Sequence, residues 1–280
     1  MVFGQTQTFR WNGRRNEKMK RILTALVLLA VFVPILIFSH TAAYPVFLAL
    51  AGTMCVWETS RCKGLNKKYY LWVPSALYVS FSAFAARLDS KLFLAATLVF
   101  LVYIWFSGVF YYGKTNINEL AFIGFVGFYI AFGVYSVVSV RDAWQKLYLL
   151  VFVAPWVSDA MAMYTGKLFG KRKLCPNISP KKTVAGAVGS MVGTVLVTLV
   201  YLFIVNTWFD GGYSYLWFGI AAIPAGIIIQ LGDLSASVVK RNCGVKDYGN
   251  LLPGHGGVMD RCDSILPTAI FAFLLSFLLV

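Results

Sequence analysis

Residues 184–205 read VAGAVGSMVGTVLVTLVYLFIV, 22 positions without a charged side chain. A helix on the surface of a water-soluble globule keeps one polar face, and this stretch has none. A helical run of about 20 apolar residues matches the hydrocarbon thickness of a bilayer. Similar runs lie near 22–38, 42–57, 69–86, 92–112, 120–139, 147–166, 215–239 and 264–280, so nine spans are expected. Helices satisfy their own backbone polar groups, as lipid demands. The expected fold class is therefore all-α, a polytopic transmembrane helical bundle. The composition agrees: 59% of residues are hydrophobic and 13% charged, too apolar a balance for a soluble domain.

The chain divides into a basic N-terminal segment (1–21), a region of about five spans (22–139) and a region of about four spans (140–280). The last region carries two long loops, 167–183 and 240–263. No internal repeat or low-complexity segment is visible. The first span follows a basic stretch, as in a signal peptide, but no small-residue cleavage site follows it. An uncleaved anchor is expected.

The net charge of +14 invites a nucleic-acid reading, which its distribution opposes. With the N-terminus inside, the inner segments hold 21 of the 25 lysines and arginines, and the outer ones hold Arg87, Lys91, Arg141 and Lys146. This is the positive-inside asymmetry, with the N-terminus cytoplasmic and the C-terminus outside. No nucleic-acid partner is expected; the lipid bilayer is. Cys55, Cys62, Cys175, Cys243 and Cys262 show no C-x-x-C pairing, and only His40 and His255 are present. No zinc site is indicated and a histidine-rich centre is excluded, so any metal should be a hard cation on carboxylates.

Only 11 acidic residues exist, so their positions are informative. Asp159 and Asp233 lie inside apolar stretches, where a carboxylate costs about 2.5–3.5 kcal/mol and needs a partner or a task. A structural ion pair with a loop lysine is one reading, and a cation site is the other. Asp233, Ser237, Lys240 and Arg241 share a helix face at i, i+4, i+7 and i+8. The loop that follows contains Lys246, Asp247, Gly249 and Gly254-His255-Gly256-Gly257. Glycines let a backbone approach phosphate oxygens, and a following helix start can offer amides to an anion. Asp260 and Asp263 come next, at i, i+3. The earlier loop holds Lys167, Ser179, Lys181, Lys182 and Thr183, followed by Gly186 and Gly189; a helix cap at Ser179 or Thr183 is its plainer reading. The site is expected in the second half of the chain.

The stretch from Ser237-Val-Val-Lys240-Arg241 through Lys246-Asp247, Pro253-Gly-His255-Gly256-Gly257 and Asp260-Arg261-Cys262-Asp263 closely resembles the signature of the bacterial phosphatidate cytidylyltransferase (CDP-diacylglycerol synthase) family. The segment from Asp159 to Thr183 resembles it too, and the Trp57-Glu58 pair is weakly similar. The resemblance implies CTP and phosphatidic acid as substrates, Mg2+ as cofactor, and a bacterial inner (cytoplasmic) membrane location with the loops facing the cytoplasm. It implies Asp233 and Asp260 as metal ligands, with Asp159 and Asp263 as second choices. Lys240, Arg241, Lys246 and Arg261 would hold phosphates, and His255 would orient the glycine loop or contact pyrophosphate. Ser237, Asp247, Gly256, Gly257, Lys167, Ser179 and Lys182 would line the substrates. A homodimer is compatible with this reading. Three positions depart from the family: Ala236 stands where an acid is usual, Tyr248 where a small residue is common, and Cys262 where a larger aliphatic is. Residue 236, at i+3 from Asp233, is expected near the metal face. The alternatives are a CTP-dependent enzyme acting on an isoprenoid lipid, a transporter, or a lipid-binding pseudoenzyme.

Overall fold

The structure is a computed structural model that describes residue 19, residues 23–254 and residues 256–278. The basic N-terminal segment, apart from Met19, and His255 therefore lie outside the described residues. The helices are α1 (Leu23–Ile37), α2 (Ala43–Cys62), α3 (Tyr69–Leu88), α4 (Ser90–Phe110), α5 (Ile117–Ala143) and α6 (Leu150–Phe169). A short ribbon follows, β1 (Lys173–Cys175) and β2 (Ser179–Thr183), then α7 (Val184–Trp208), α8 (Tyr215–Asn242), the one-turn α9 (Met259–Cys262) and α10 (Ile265–Leu278). Among the described residues, six stretches are long and apolar enough to cross a membrane: α3, α4, α5, α7, α8 and the run Met259–Leu278. The other three expected spans coincide with α1, α2 and α6. α1 covers 15 described residues, while Glu58 in α2 and Asp159 and Lys167 in α6 dilute the hydropathy of those helices.

Local chemistry sets the boundaries. Asn116 and Glu119 form a reciprocal capping box at the start of α5, and Asp89 accepts the Lys91 amide at the start of α4. Thr183 caps α7 by accepting the Gly186 amide at 3.1 Å, whereas Ser179 lies in β2. Each such cap satisfies a helix-end donor that lipid cannot. The antiparallel ribbon, pairing Lys173 with Thr183 and Cys175 with Ser179, is the one sheet among the described residues and departs from an all-helical chain.

Between helices in lipid, close packing replaces the hydrophobic drive. α6 and α7 approach most intimately because α7 presents glycines to α6. A Cβ at Gly189 would fall 2.1 Å from Thr165 Oγ1, and one at Gly193 would fall 2.6 Å from Met161 Cγ. Gly186 and Gly189 thus belong to a helix interface. α10 packs on α5 as well as on α8 and α6, so the two halves form one bundle around a shared core. Both long loops emerge at one end, where Arg241 Nε donates to the Ile178 carbonyl at 3.3 Å. Arg87 and Arg141 meet at the opposite end, on Asp142.

Candidate active site

The last three turns of α8 carry the first elements of the site. Asp233 pairs with Lys182 Nζ at 2.6 Å, a lysine delivered by β2. Two turns on, Lys240 Nζ meets Asp260 Oδ1 at 2.7 Å, the two side chains being 10% and 5% exposed. Taking such a pair out of water costs several kcal/mol per ion, and it holds only where the remaining lone pairs are also satisfied. They are: Asp260 Oδ2 accepts the Tyr248 and Gly257 amides, each at 2.9 Å. Lys240 Nζ also lies 5.3 Å from the centre of the Tyr248 ring, within cation–π range.

The loop between α8 and α9 is shaped by these contacts. Gly256 has φ +85°, a backbone region closed to most side chains, and a Cβ there would sit 3.0 Å from Asp260 Oδ2. The next two amides go to Glu58, at the far end of α2. Val258 N donates to Oε1 at 3.0 Å and Met259 N to Oε2 at 2.8 Å. The amides of Gly257, Val258 and Met259, at the end of the glycine loop, are therefore occupied by carboxylates. Glu58 is fully buried and comes from the first half of the chain, outside the region where the site is expected. Its signal in the sequence was the Trp57-Glu58 pair alone.

A polar cavity of about 820 Å³ opens beside this knot. Asp159, Asp233, Asp247, Asp260 and Asp263 line it, with Lys167, Lys173, Lys181, Lys182, Lys240 and Arg261. Nine of the expected site residues thus meet in one place: the five aspartates with Lys167, Lys182, Lys240 and Arg261. Lys173 and Lys181 join them. The other expected site residues among those described sit apart from the cavity wall. Arg241 ties the loops together, donating to the Ile178 and Val245 carbonyls. Ser237 is buried, Lys246 is exposed, Ser179 pairs within the ribbon, and Gly256 and Gly257 pack on Asp260 and Glu58.

The carboxylates suit a hard cation in a particular way. Asp159, Asp233 and Asp263 are close enough to feel one another's charge, but no three acidic, histidine or cysteine side chains among the described residues form a closed metal cage. Magnesium is commonly held by one or two carboxylates, with substrate phosphates and water completing its shell. The donor set fits that mode.

Ala236 does not line the cavity. It is packed in the core, and its carbonyl accepts the Tyr248 hydroxyl at 3.0 Å. Burial pushes the Tyr248 phenol well above its ordinary range, so it stays a neutral donor. Two of the three departures from the family pattern are therefore in contact with each other. The expectation that residue 236 faces the metal is corrected, because three residues of helix turn the side chain about 60° away from Asp233.

A second cavity, of about 420 Å³ and almost wholly apolar, lies between α1, α2, α5, α6 and α10. Phe32, Phe47, Met54, Ile130, Trp156 and Leu266 are among its walls, and Arg261 lines this cavity as well as the polar one.

A helical bundle holding a cation-rich, carboxylate-bearing cavity and an apolar one that share an arginine wall suits a membrane-embedded enzyme of phosphate chemistry. The family model described as "Cytidylyltransferase family" matches residues 19–279, and the chain belongs to that family. It is 31% identical over 272 residues to the phosphatidate cytidylyltransferase of Bacillus subtilis (strain 168), covering 92% of this chain and 97% of the relative. The enzyme of that name from Staphylococcus haemolyticus (strain JCSC1435) is 31% identical over 256 residues, 88% of this chain and 94% of the relative. That of Haemophilus influenzae (strain ATCC 51907 / DSM 11121 / KW20 / Rd) is 38% identical over 133 residues, 47% and 46% of the two chains.

The contact between residues 236 and 248 sets an expectation for Ala236→Glu. Its carboxylate would be buried where Ala236 now packs in the core, destabilising the protein by more than about 2 kcal/mol. Adding Tyr248→Ser should free the acid to reach Lys240 and recover most of the loss. Thermal transitions in detergent check both; an Ala236→Glu protein as stable as the parent would place residue 236 elsewhere.

Proposed function

We propose that this chain transfers the cytidylyl group of CTP to phosphatidic acid, yielding CDP-diacylglycerol and pyrophosphate for phospholipid synthesis. The observation that carries this reading is Arg261, which stands at the junction of the two cavities. The polar side offers charge and space to a nucleoside triphosphate. The apolar side offers a wall of hydrocarbon to acyl chains, and a lipid phosphate would lie between them. The extended similarity to enzymes named phosphatidate cytidylyltransferase supports the same substrates.

In this reading a phosphate oxygen of phosphatidic acid forms a bond to the α-phosphorus of CTP. The bond from that phosphorus to the pyrophosphate bridging oxygen breaks, and its electron pair departs with pyrophosphate. The attacking oxygen is already anionic, so no strong general base is needed, in keeping with a chain that has two histidines. What remains is alignment and charge neutralisation. Lys167, Lys173, Lys181 and Lys182 are placed to hold the triphosphate and the leaving pyrophosphate. Arg261 would orient the lipid phosphate by its planar fork of donors, and Lys240 is held in place by Asp260. Asp159, Asp233 and Asp263 would hold Mg2+ together with phosphate oxygens, and the ion would supply charge neutralisation on the reacting phosphoryl group.

The site end of the bundle would face the cytoplasm of a bacterial inner membrane, where CTP is found. The 21-to-4 split of basic residues supports that orientation. In intact cells, a cysteine introduced as Asn177→Cys in a cysteine-free background should resist a membrane-impermeant maleimide, while Lys91→Cys reacts. The reverse pattern would overturn the orientation.

Purified protein given CTP, phosphatidic acid and magnesium should release pyrophosphate and form CDP-diacylglycerol. Asp233→Asn should lower turnover by at least about 100-fold, while Lys114→Ala, in the turn between α4 and α5, should leave it within about twofold. Release of CDP instead of pyrophosphate would favour a lipid kinase, and a fully active Asp233→Asn protein would remove Asp233 from the site.

A further inference from the structure

Glu58 touches neither cavity, yet it is a fully buried acid that forms no ion pair with a lysine or arginine among the described residues. A carboxylate in that position is costly unless its oxygens are satisfied, and here each takes one backbone amide, from Val258 and Met259. Two glycines on opposite sides of the loop make room for it. A Cβ at Gly249 would lie 2.6 Å from Oε1, and one at Gly257 would lie 2.4 Å from Oε2. Cys55 and Cys62, at i−3 and i+4 on the same α2 face, lie beside Cys262 and Cys243. One face of α2 is thus bound along the whole loop, with the carboxylate at its centre.

We infer that Glu58 is a positioning residue of the transferase site, a role that rests on the function proposed above. It pins residues 257–259, so that Asp260 stands where it grips Lys240 and Arg261 stands where the two cavities meet. No apolar side chain could do this, because two amides would be left unsatisfied in a buried seam. A glutamine would be a poor substitute. It keeps one acceptor oxygen but turns an NH2 group toward an amide that is itself a donor. The reach matters as much as the charge, since the carboxylate fills the space that Gly257 leaves empty.

The test uses the purified full-length protein and four variants: Glu58→Gln, Glu58→Asp, Gly257→Ala and the double variant Gly257→Ala/Glu58→Asp. Pyrophosphate release is measured against CTP and phosphatidic acid, with maleimide protection of buried Cys55 as the check on folding. A misplaced but folded loop should act on kcat, so Glu58→Gln should lose about 100-fold in kcat with the KM for CTP within about threefold. Gly257→Ala should lose a similar amount, because its methyl group collides with the carboxylate. Shortening that carboxylate in the double variant should restore kcat at least about tenfold over Gly257→Ala alone, a rescue that loss of general packing would not give. A folded Glu58→Gln protein with kcat near that of the parent overturns the inference. Should Glu58→Gln fail to fold, the comparison of Gly257→Ala with the double variant decides, and absence of rescue overturns it. A parent protein that releases no pyrophosphate overturns the proposed function itself, and the positioning role with it.

Discussion

The ion pair between Lys240 and Asp260 is the contact on which the rest of the site depends. A lysine near the end of a membrane helix and an aspartate at the start of the next cannot both be buried without help. The help determines the shape of the loop between them. Asp260 has a second oxygen to satisfy, and it draws in the amides of Tyr248 and Gly257 from both ends of the loop. Gly256 must then adopt a positive φ, and Tyr248 comes to rest under the Lys240 ammonium with its hydroxyl on the Ala236 carbonyl. The loop is wound around one carboxylate, and a second, Glu58, closes the winding from α2.

The two ends of the bundle use their charges differently. At the site end, Lys167, Lys173, Lys181 and Arg261 line an open cavity alongside the aspartates. At the other end, basic side chains are spent on architecture. Arg87 donates to the Thr41 carbonyl at 2.5 Å and to Asp142, and Lys146 Nζ reaches the Phe209 and Asp210 carbonyls at 2.5 and 3.1 Å. The Lys146 contacts satisfy acceptors just past the end of α7 that have no intrahelical partner. A count of charges alone makes the ends differ in number; the structure makes them differ in kind.

Much of this was legible in the sequence because it is carried by side chains with a strong local signature. Uncharged runs announce helices in lipid, and an aspartate inside such a run needs a reason to be there, which is how Asp159 and Asp233 stood out. Glu58 did not, because its partners are backbone amides 200 and 201 residues further on, and an amide leaves no mark in a sequence. The glycines were read for close approach, and in the fold Gly249, Gly256 and Gly257 give it to the Glu58 and Asp260 carboxylates. Ala236 was misplaced by helical spacing, since i+3 only approximates one face and Tyr248 occupies the difference. The ribbon of residues 173–183 was hidden in a run of lysines that reads equally well as a topological signal.

In the proposed function the cavity bounded by α6, the ribbon, α8 and the start of α9 receives the nucleotide. Photoaffinity labelling of the purified protein with an azido derivative of CTP, in magnesium, followed by peptide mapping, tests it most directly. The expected result is label confined to residues 159–187 and 230–263 and displaced by excess CTP. Displaceable label at the opposite end of the bundle, around residues 87–91 or 141–147, would contradict it.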